Sequence, residues 1–76
     1  MKLQVNRYYA MRPNESCIEW LDIIRVDKIE GAFVGYSMRC AGPGFEVWVP
    51  RCGSVANVQA CVVGEVGWAA EDGGGQ

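Results

Sequence analysis

The side chains able to do covalent or acid–base chemistry are few in this chain. Candidate nucleophiles are the hydroxyls of Ser16, Ser37 and Ser54 and the thiols of four cysteines, but the chain has no histidine. Because histidine is the commonest general base, no partner can be identified that would take a proton from any of these nucleophiles. The sequence therefore predicts a protein that is not an enzyme.

Two further patterns are better explained by structure than by chemistry. Glu19 and Asp22 have the spacing of neighbours on a helix, which is more typical of a solvated face or a cap than of an acid–base pair. The segment Gly42-Pro43-Gly44 lacks the lysine that follows in a phosphate-binding loop. We expect no cofactor.

The cysteines stand at positions 17, 40, 52 and 61, with no closely spaced pair and no histidine to complete a zinc site. We expect no metal. Cys40 and Cys52 bracket a hairpin-like segment, so a disulfide between them is an alternative. Because the first residues have no apolar run typical of a secretory signal, we expect reduced and mostly buried cysteines.

Charge and hydropathy limit the classes of partner. The net charge is −2 and the pI is near 4.9, whereas nucleic-acid-binding domains usually carry a basic face. Nucleic acid is therefore an improbable partner. No apolar run has the length of a membrane helix, so we expect no membrane contact and a cytoplasmic location.

The first half of the chain predicts strands. Lys2 to Met11 is rich in β-formers, and Pro13 ends it. Ser16 and Glu19 match a capping box, but the β-branched residues that follow favour a strand. We predict a helical turn at 16–21, a strand at 22–29, a turn at Glu30-Gly31 and a strand from Ala32 to Arg39, in which Gly35 indicates a bulge.

The second half opens with a loop at 41–44 and a strand from Phe45 to Val49, closed by Pro50. In that strand Phe45, Val47 and Val49 share one face, and Trp48 shares the other with Glu46. Trp48 is therefore a candidate for an exposed aromatic residue, and the alternative is that it covers the second face of the sheet inside the domain. Ser54 could cap a helix over 55–63, but the valines there favour strands at 57–63 and 65–69.

These elements predict one domain over residues 1–70, with a flexible glycine-rich tail at 71–76. The fold class is mainly β, or α+β with one short helix. Short strands joined by Gly and Pro turns favour a small curled antiparallel sheet or an SH3-like barrel.

A resemblance points in the same direction. Tyr8, Tyr9 and Arg12, followed by the hairpin through Glu30-Gly31 and by Tyr36, resemble small SH3-like barrel accessory proteins of phages and mobile elements. The segment at Pro13-Asn14 departs from that pattern, because such proteins usually have a tighter turn containing glycine. The resemblance implies an accessory protein that works by binding.

Protein association is the function that the composition favours. The chain has three Trp, three Tyr and two Phe, and a domain of this size leaves much of its surface exposed. Trp, Tyr and Arg are enriched at interface hot spots. We therefore expect a non-catalytic interaction module or inhibitor that binds itself as a homo-oligomer, or another protein, through Tyr8, Tyr9, Arg12, Trp48 and Arg51. The alternative is a small barrel that binds a planar ligand or nucleic acid through its aromatic residues.

Overall fold

The computed structural model describes residues 2–14 and 20–67. These form five antiparallel strands in one sheet, with a short helix before the last strand. The strand order is β4-β3-β2-β1-β5. The elements are β1 (Tyr8–Met11), β2 (Asp22–Glu30), β3 (Phe33–Gly42), β4 (Phe45–Ser54), α1 (Val55–Cys61) and β5 (Val62–Val66).

The fold is the mainly β, curled antiparallel sheet with one short helix that the sequence predicts. It is not a closed barrel, because β4 and β5 lie at opposite edges of the sheet and do not pair with each other. Of the two predicted alternatives, the curled sheet is therefore confirmed, and the closed barrel, which would remove both edges, is not formed. The strand at 22–29 is confirmed as β2, whereas most of the predicted helical turn at 16–21 lies outside the described residues, as does the tail at 71–76.

Two short turns join the three longest strands. Gly31, with φ of 59°, is the first of two residues between β2 and β3, and Gly44, with φ of 82°, is the second of two between β3 and β4. Glycine adopts these positive φ angles without the steric cost of a Cβ atom. The first turn is thus Gly31-Ala32, one residue later than predicted.

A bulge lies near Gly35, as predicted, but the extra residue is on the neighbouring strand. Val26 pairs with Tyr36 and Lys28 with Gly35, so Asp27 is the extra residue and its backbone has no residue opposite it in the β2–β3 register. The bulge places Asp27 and Lys28 on the same side of the sheet. Gly35 leaves room for the Lys28 side chain, whose Cγ would lie 3.2 Å from a Cβ at that position.

One side of the sheet, the core face, carries the buried side chains. Tyr9, Ile24, Val26 and Val34 are the largest of those that are fully buried. The core face is covered by Val58 and Cys61 of α1 and by Leu3 near the N-terminus. The predicted strand from Lys2 is shorter than expected, because the chain turns at Asn6 (φ 67°) and the Asn6 N–H donates to the Val26 carbonyl at 2.8 Å.

The helix replaces the strand predicted at 57–63. Ser54 is its N-cap, and the Ser54 hydroxyl accepts a hydrogen bond from the Asn57 N–H at 3.1 Å. The cap satisfies a donor that a helix of seven residues cannot satisfy internally. Burial of Val58 and Cys61 outweighs the β propensity of the valines, and the strand resumes at Val62.

We expect the Ser54→Ala variant to lose about 1 kcal/mol of unfolding free energy, because it removes the N-cap acceptor. Urea unfolding followed by circular dichroism measures this loss. Ser54→Asp is the matched control and should retain most of the stability, since Asp caps as well as Ser. Equal destabilisation of both variants would show that the cap does not stabilise α1.

Candidate functional site

The edge strand β4 exposes a row of apolar side chains. Phe45, Val47 and Val49 alternate along it on the same side as the core, and their exposed fractions are 56%, 48% and 36%. Their shared face is as predicted, but the strand does not end at Val49: it continues through Pro50 to Ser54. We call these three residues the β4 strip.

The β4 strip is exposed because the material that covers the core face stops short of it. The helix contacts β3 and β4 near the end of the hairpin away from the β3–β4 turn, where Val58 lies beside Gly53 and belongs to the same buried cluster as Val34. Towards the β3–β4 turn, Met38 is partly buried and Cys40, opposite Val47, is exposed. The strip is therefore an extension of the core face that nothing within residues 2–14 and 20–67 covers.

Within residues 2–14 and 20–67, the backbone of β4 also has no strand partner on its outer side, since β3 pairs with the other side only. Pro50 lies within this strand opposite Ser37. A proline is tolerated in an edge strand where its missing N–H would have pointed to solvent. The backbone groups of even-numbered residues, Glu46 and Trp48 among them, thus point outward, and Pro50 interrupts their row of donors.

The opposite side of the sheet, the polar face, carries a hydrogen-bonded cluster. The Arg25 Nε donates to Asp27 Oδ1 at 2.7 Å, and its Nη2 donates to the Ser37 Oγ at 3.2 Å. The Ser37 hydroxyl donates to Asp27 Oδ2 at 2.7 Å. Hydrogen bonds to Asp27 and to Tyr8 raise the pKa of Arg25 against the opposing effect of burial. The cluster is a closed set of bonds that fixes these side chains.

Trp48 lies over this cluster. Its ring makes an edge-to-face contact with Tyr8 at 5.6 Å between centroids, and the Arg25 guanidinium carbon lies 5.4 Å from the ring centroid. Because β1 and β4 are three strand positions apart, or about 14 Å in a flat sheet, the contact requires strong curling over this face. Trp48 is thus half-buried: it is neither fully exposed nor fully covered, the two alternatives that the sequence left open.

The structure does not bring the five predicted binding residues together. Tyr8 and Trp48 meet on the polar face, Arg51 is exposed on β4, and Arg12 follows β1 with its N–H bonded to the Cys61 carbonyl. Tyr9 is 1% exposed, and its hydroxyl accepts a hydrogen bond from the Gln4 N–H. Tyr9 is a core residue, and of the two tyrosines only Tyr8 remains a candidate for binding.

The sequence interpretation missed the exposure of Phe45 and its neighbours. A signal for it was present, because a proline at the end of an alternating run is typical of an edge strand. Of the three described cysteines only Cys61 is buried, so the expectation of mostly buried thiols is wrong for Cys40 and Cys52. These two lie about 16 Å apart along the hairpin, because Cys40 pairs with Val47 and Cys52 with Gly35, and that separation excludes a disulfide between them in this fold.

The two candidate serines that the structure describes have structural roles. The Ser37 hydroxyl belongs to the Arg25–Asp27 cluster and is 5% exposed, and the Ser54 hydroxyl caps α1. Among residues 2–14 and 20–67, no group of His, Cys, Asp and Glu side chains has the arrangement of a metal site. No helix in the same part of the chain is long and apolar enough to cross a membrane.

Tyr36 lies on the wall of a cavity of about 290 Å³ that it shares with Met11 and Cys61. The tyrosine is 8% exposed, and burial raises its pKa above the ordinary value, against the opposing effect of the Arg51 guanidinium. The phenol is therefore held in its neutral form in the folded state.

Comparison of the chain with protein-family models, with curated proteins and with solved structures gave no match.

We expect Ser37→Ala to lower the unfolding free energy by about 1 kcal/mol, because it breaks the hydroxyl's bonds to Arg25 and Asp27. In an Asp27→Asn background the same change should cost less, with a coupling of at least about 0.5 kcal/mol. Urea unfolding of the four proteins measures this coupling. Strictly additive losses would contradict the closed cluster.

We also expect stability to fall with rising pH above about 10, the ordinary pKa of tyrosine. There the unfolded chain loses the Tyr36 proton while the folded chain, with its raised pKa, retains it, so deprotonation favours unfolding. Urea unfolding at a series of alkaline pH values measures the slope. The Tyr36→Phe variant, which lacks the titrating group, should show a shallower decline, and equal slopes would contradict the assignment.

Proposed function

We propose that this chain is a non-catalytic protein–protein interaction module that binds an extended segment of polypeptide along the free edge of β4. The observation that carries the proposal is that one strand combines the exposed β4 strip with a backbone edge that no other described strand pairs with. A free edge supplies main-chain hydrogen bonds to an added strand, and alternate side chains supply the specificity.

The geometry of β4 suits such an addition. Phe45, Val47 and Val49 lie at every second position, so an added strand with apolar residues at the same spacing would continue the core face by one strand. Removing apolar surface from water contributes roughly 25 cal/mol per Å². Backbone hydrogen bonds to an added strand replace hydrogen bonds to water, so their net contribution to affinity is small. The apolar surface of the β4 strip supplies the remaining affinity.

The electrostatics favour a polypeptide over a nucleic acid as the partner. Arg7, Arg25, Lys28 and Arg39 each form an ion pair with a carboxylate, respectively Glu65, Asp27, Glu30 and Glu46. Cations paired in this way are poorly placed to neutralise phosphates. The Trp48 ring, which a planar ligand would need for stacking, already has Arg25 over it and Tyr8 at its side.

Absence of catalysis is part of the proposal and rests on the chemistry of the side chains. The chain has no histidine. Asp27, whose carboxylate accepts a hydrogen bond from the Ser37 hydroxyl, also accepts one from Arg25. Both carboxylate oxygens of Asp27 are engaged within the cluster, Oδ1 by Arg25 and Oδ2 by the Ser37 hydroxyl. The cluster therefore supports a structural role for Ser37.

Selection from a displayed library of short random peptides tests the proposal. We expect enrichment of peptides with apolar residues at every second position, and slower amide hydrogen exchange at Glu46 and Trp48 when such a peptide is bound. Enriched peptides that leave these amides unprotected, or no enrichment with the folded protein, would contradict binding at β4.

Val47→Lys is the diagnostic variant in this selection and should reduce binding at least about tenfold, since it places a charge within the apolar strip. Val63→Lys is its matched control, because Val63 is also a valine on an edge strand and has nearly the same exposed fraction, 47% against 48%. The proposal requires that only the first of these variants loses binding.

A further inference from the structure

We infer that the extended segment taken up by β4 in the purified protein is β4 of a second copy, in an antiparallel register centred on Val47. This inference rests on the proposed function, since it assigns an occupant to the same edge. The resulting dimer has a two-fold axis through the pair of Val47 residues and joins two sheets into one of ten strands.

A second copy fits because β4 has the features expected of a strand that would add to the edge of β4. It is extended over Phe45–Ser54, has apolar side chains at every second position over residues 45–49, and has one backbone side that no other described strand pairs with. Antiparallel pairing of two identical strands places the same face of each copy on the same side of the joint sheet. The two β4 strips then form one continuous apolar surface that extends both core faces.

Pro50 selects the register. With the axis at Val47, the outward backbone groups of Glu46 meet those of Trp48 in the second copy, and both residues have an N–H to donate. With the axis at Trp48, Glu46 would instead face Pro50, and each of the two prolines would leave a carbonyl without a donor. The Val47 register uses only residues 45–49, which lie wholly on one side of Pro50.

The side chains favour the same register. With the axis at Val47, Phe45 faces Val49 of the second copy, and the two Val47 side chains face each other across the axis. An axis at Glu46 would place two like charges directly opposite one another, which is destabilising. The Val47 register places Glu46 opposite Trp48 instead, so no like charges meet among residues 45–49.

The expected contact is small. A standard stable interface buries roughly 800 Å² on each partner, and pairing over residues 45–49 involves only five residues of each copy. The dimer should therefore dissociate on dilution. It should form reversibly as the protein concentration rises, as expected of an interface at the low end of the size range.

Cysteine crosslinking tests the register. The test uses the full chain with Cys17, Cys40 and Cys52 replaced by serine, leaving Cys61, which is buried. Val47→Cys then introduces a thiol on the axis, in a pair that is not hydrogen-bonded and whose Cα atoms lie about 4.5 Å apart, within the range of a disulfide. With oxidised glutathione as the oxidant, we expect a covalent dimer.

Val49→Cys in the same background is the matched control. In this register its two copies lie about 13 Å apart along the strands, beyond the reach of a disulfide. We expect the Val47→Cys dimer to form at least about tenfold faster than the Val49→Cys dimer. Equal rates, or faster linkage through Cys at position 49, would overturn the register. Circular dichroism shows whether each variant is folded.

Light scattering of the unmodified chain across a dilution series tests the dimer itself. We expect the mass to rise toward that of a dimer with concentration, the rise to be lost in Val47→Lys and to persist in Val63→Lys. A monomer at every concentration overturns the inference. If that monomer still binds the selected peptides, the proposed function survives; if it binds none, both fail.

Discussion

The structure depends on how far a very short covering layer extends over the core face of the sheet. The helix has seven residues and the N-terminal segment contributes essentially one buried side chain, Leu3, whereas β3 and β4 are ten residues long. Surface grows relative to volume as a domain becomes smaller, and residues 2–14 and 20–67 cover only one end of this long hairpin. The covered end forms a closely packed core, and the uncovered end forms the β4 strip.

The two sides of the sheet solve different physical problems. The core face is held by apolar burial around residues such as Ile24 and Val26, which are fully buried. The polar face is held by directional bonds among Arg25, Asp27 and Ser37, with Trp48 placed over the guanidinium. Within the described residues, no buried side-chain N or O atom lacks a hydrogen-bond partner, so this face carries polar groups without the cost of leaving them unsatisfied. The edge strand β4 carries an exposed row of apolar side chains, the β4 strip.

The sequence was a good guide to elements that local chemistry determines. The hairpin strands, the alternation of Phe45, Val47 and Val49, and the glycines of both turns could be assigned from residue type and spacing. It was a poor guide where tertiary burial competes with propensity: the valines of 55–61 favour a strand in isolation, but a cap at Ser54 and burial of Val58 produce a helix. The candidate site was only partly predictable, because alternation shows that Tyr8 and Tyr9 lie on opposite faces but not which face is covered. Nor does residue spacing show that Trp48 reaches Tyr8, since that contact depends on the curl of the whole sheet.

The bulge between β1 and β5 makes the second edge of the sheet irregular. Ala10 pairs with Gly64 and Met11 with Val62, so Val63 bends out of register on the other edge strand, which has only five residues. A short, irregular edge is a poor template for another strand. If copies associate through β4 as proposed, β5 therefore offers a poor second edge for strand addition, and pairing would end in a finite particle instead of a growing fibre.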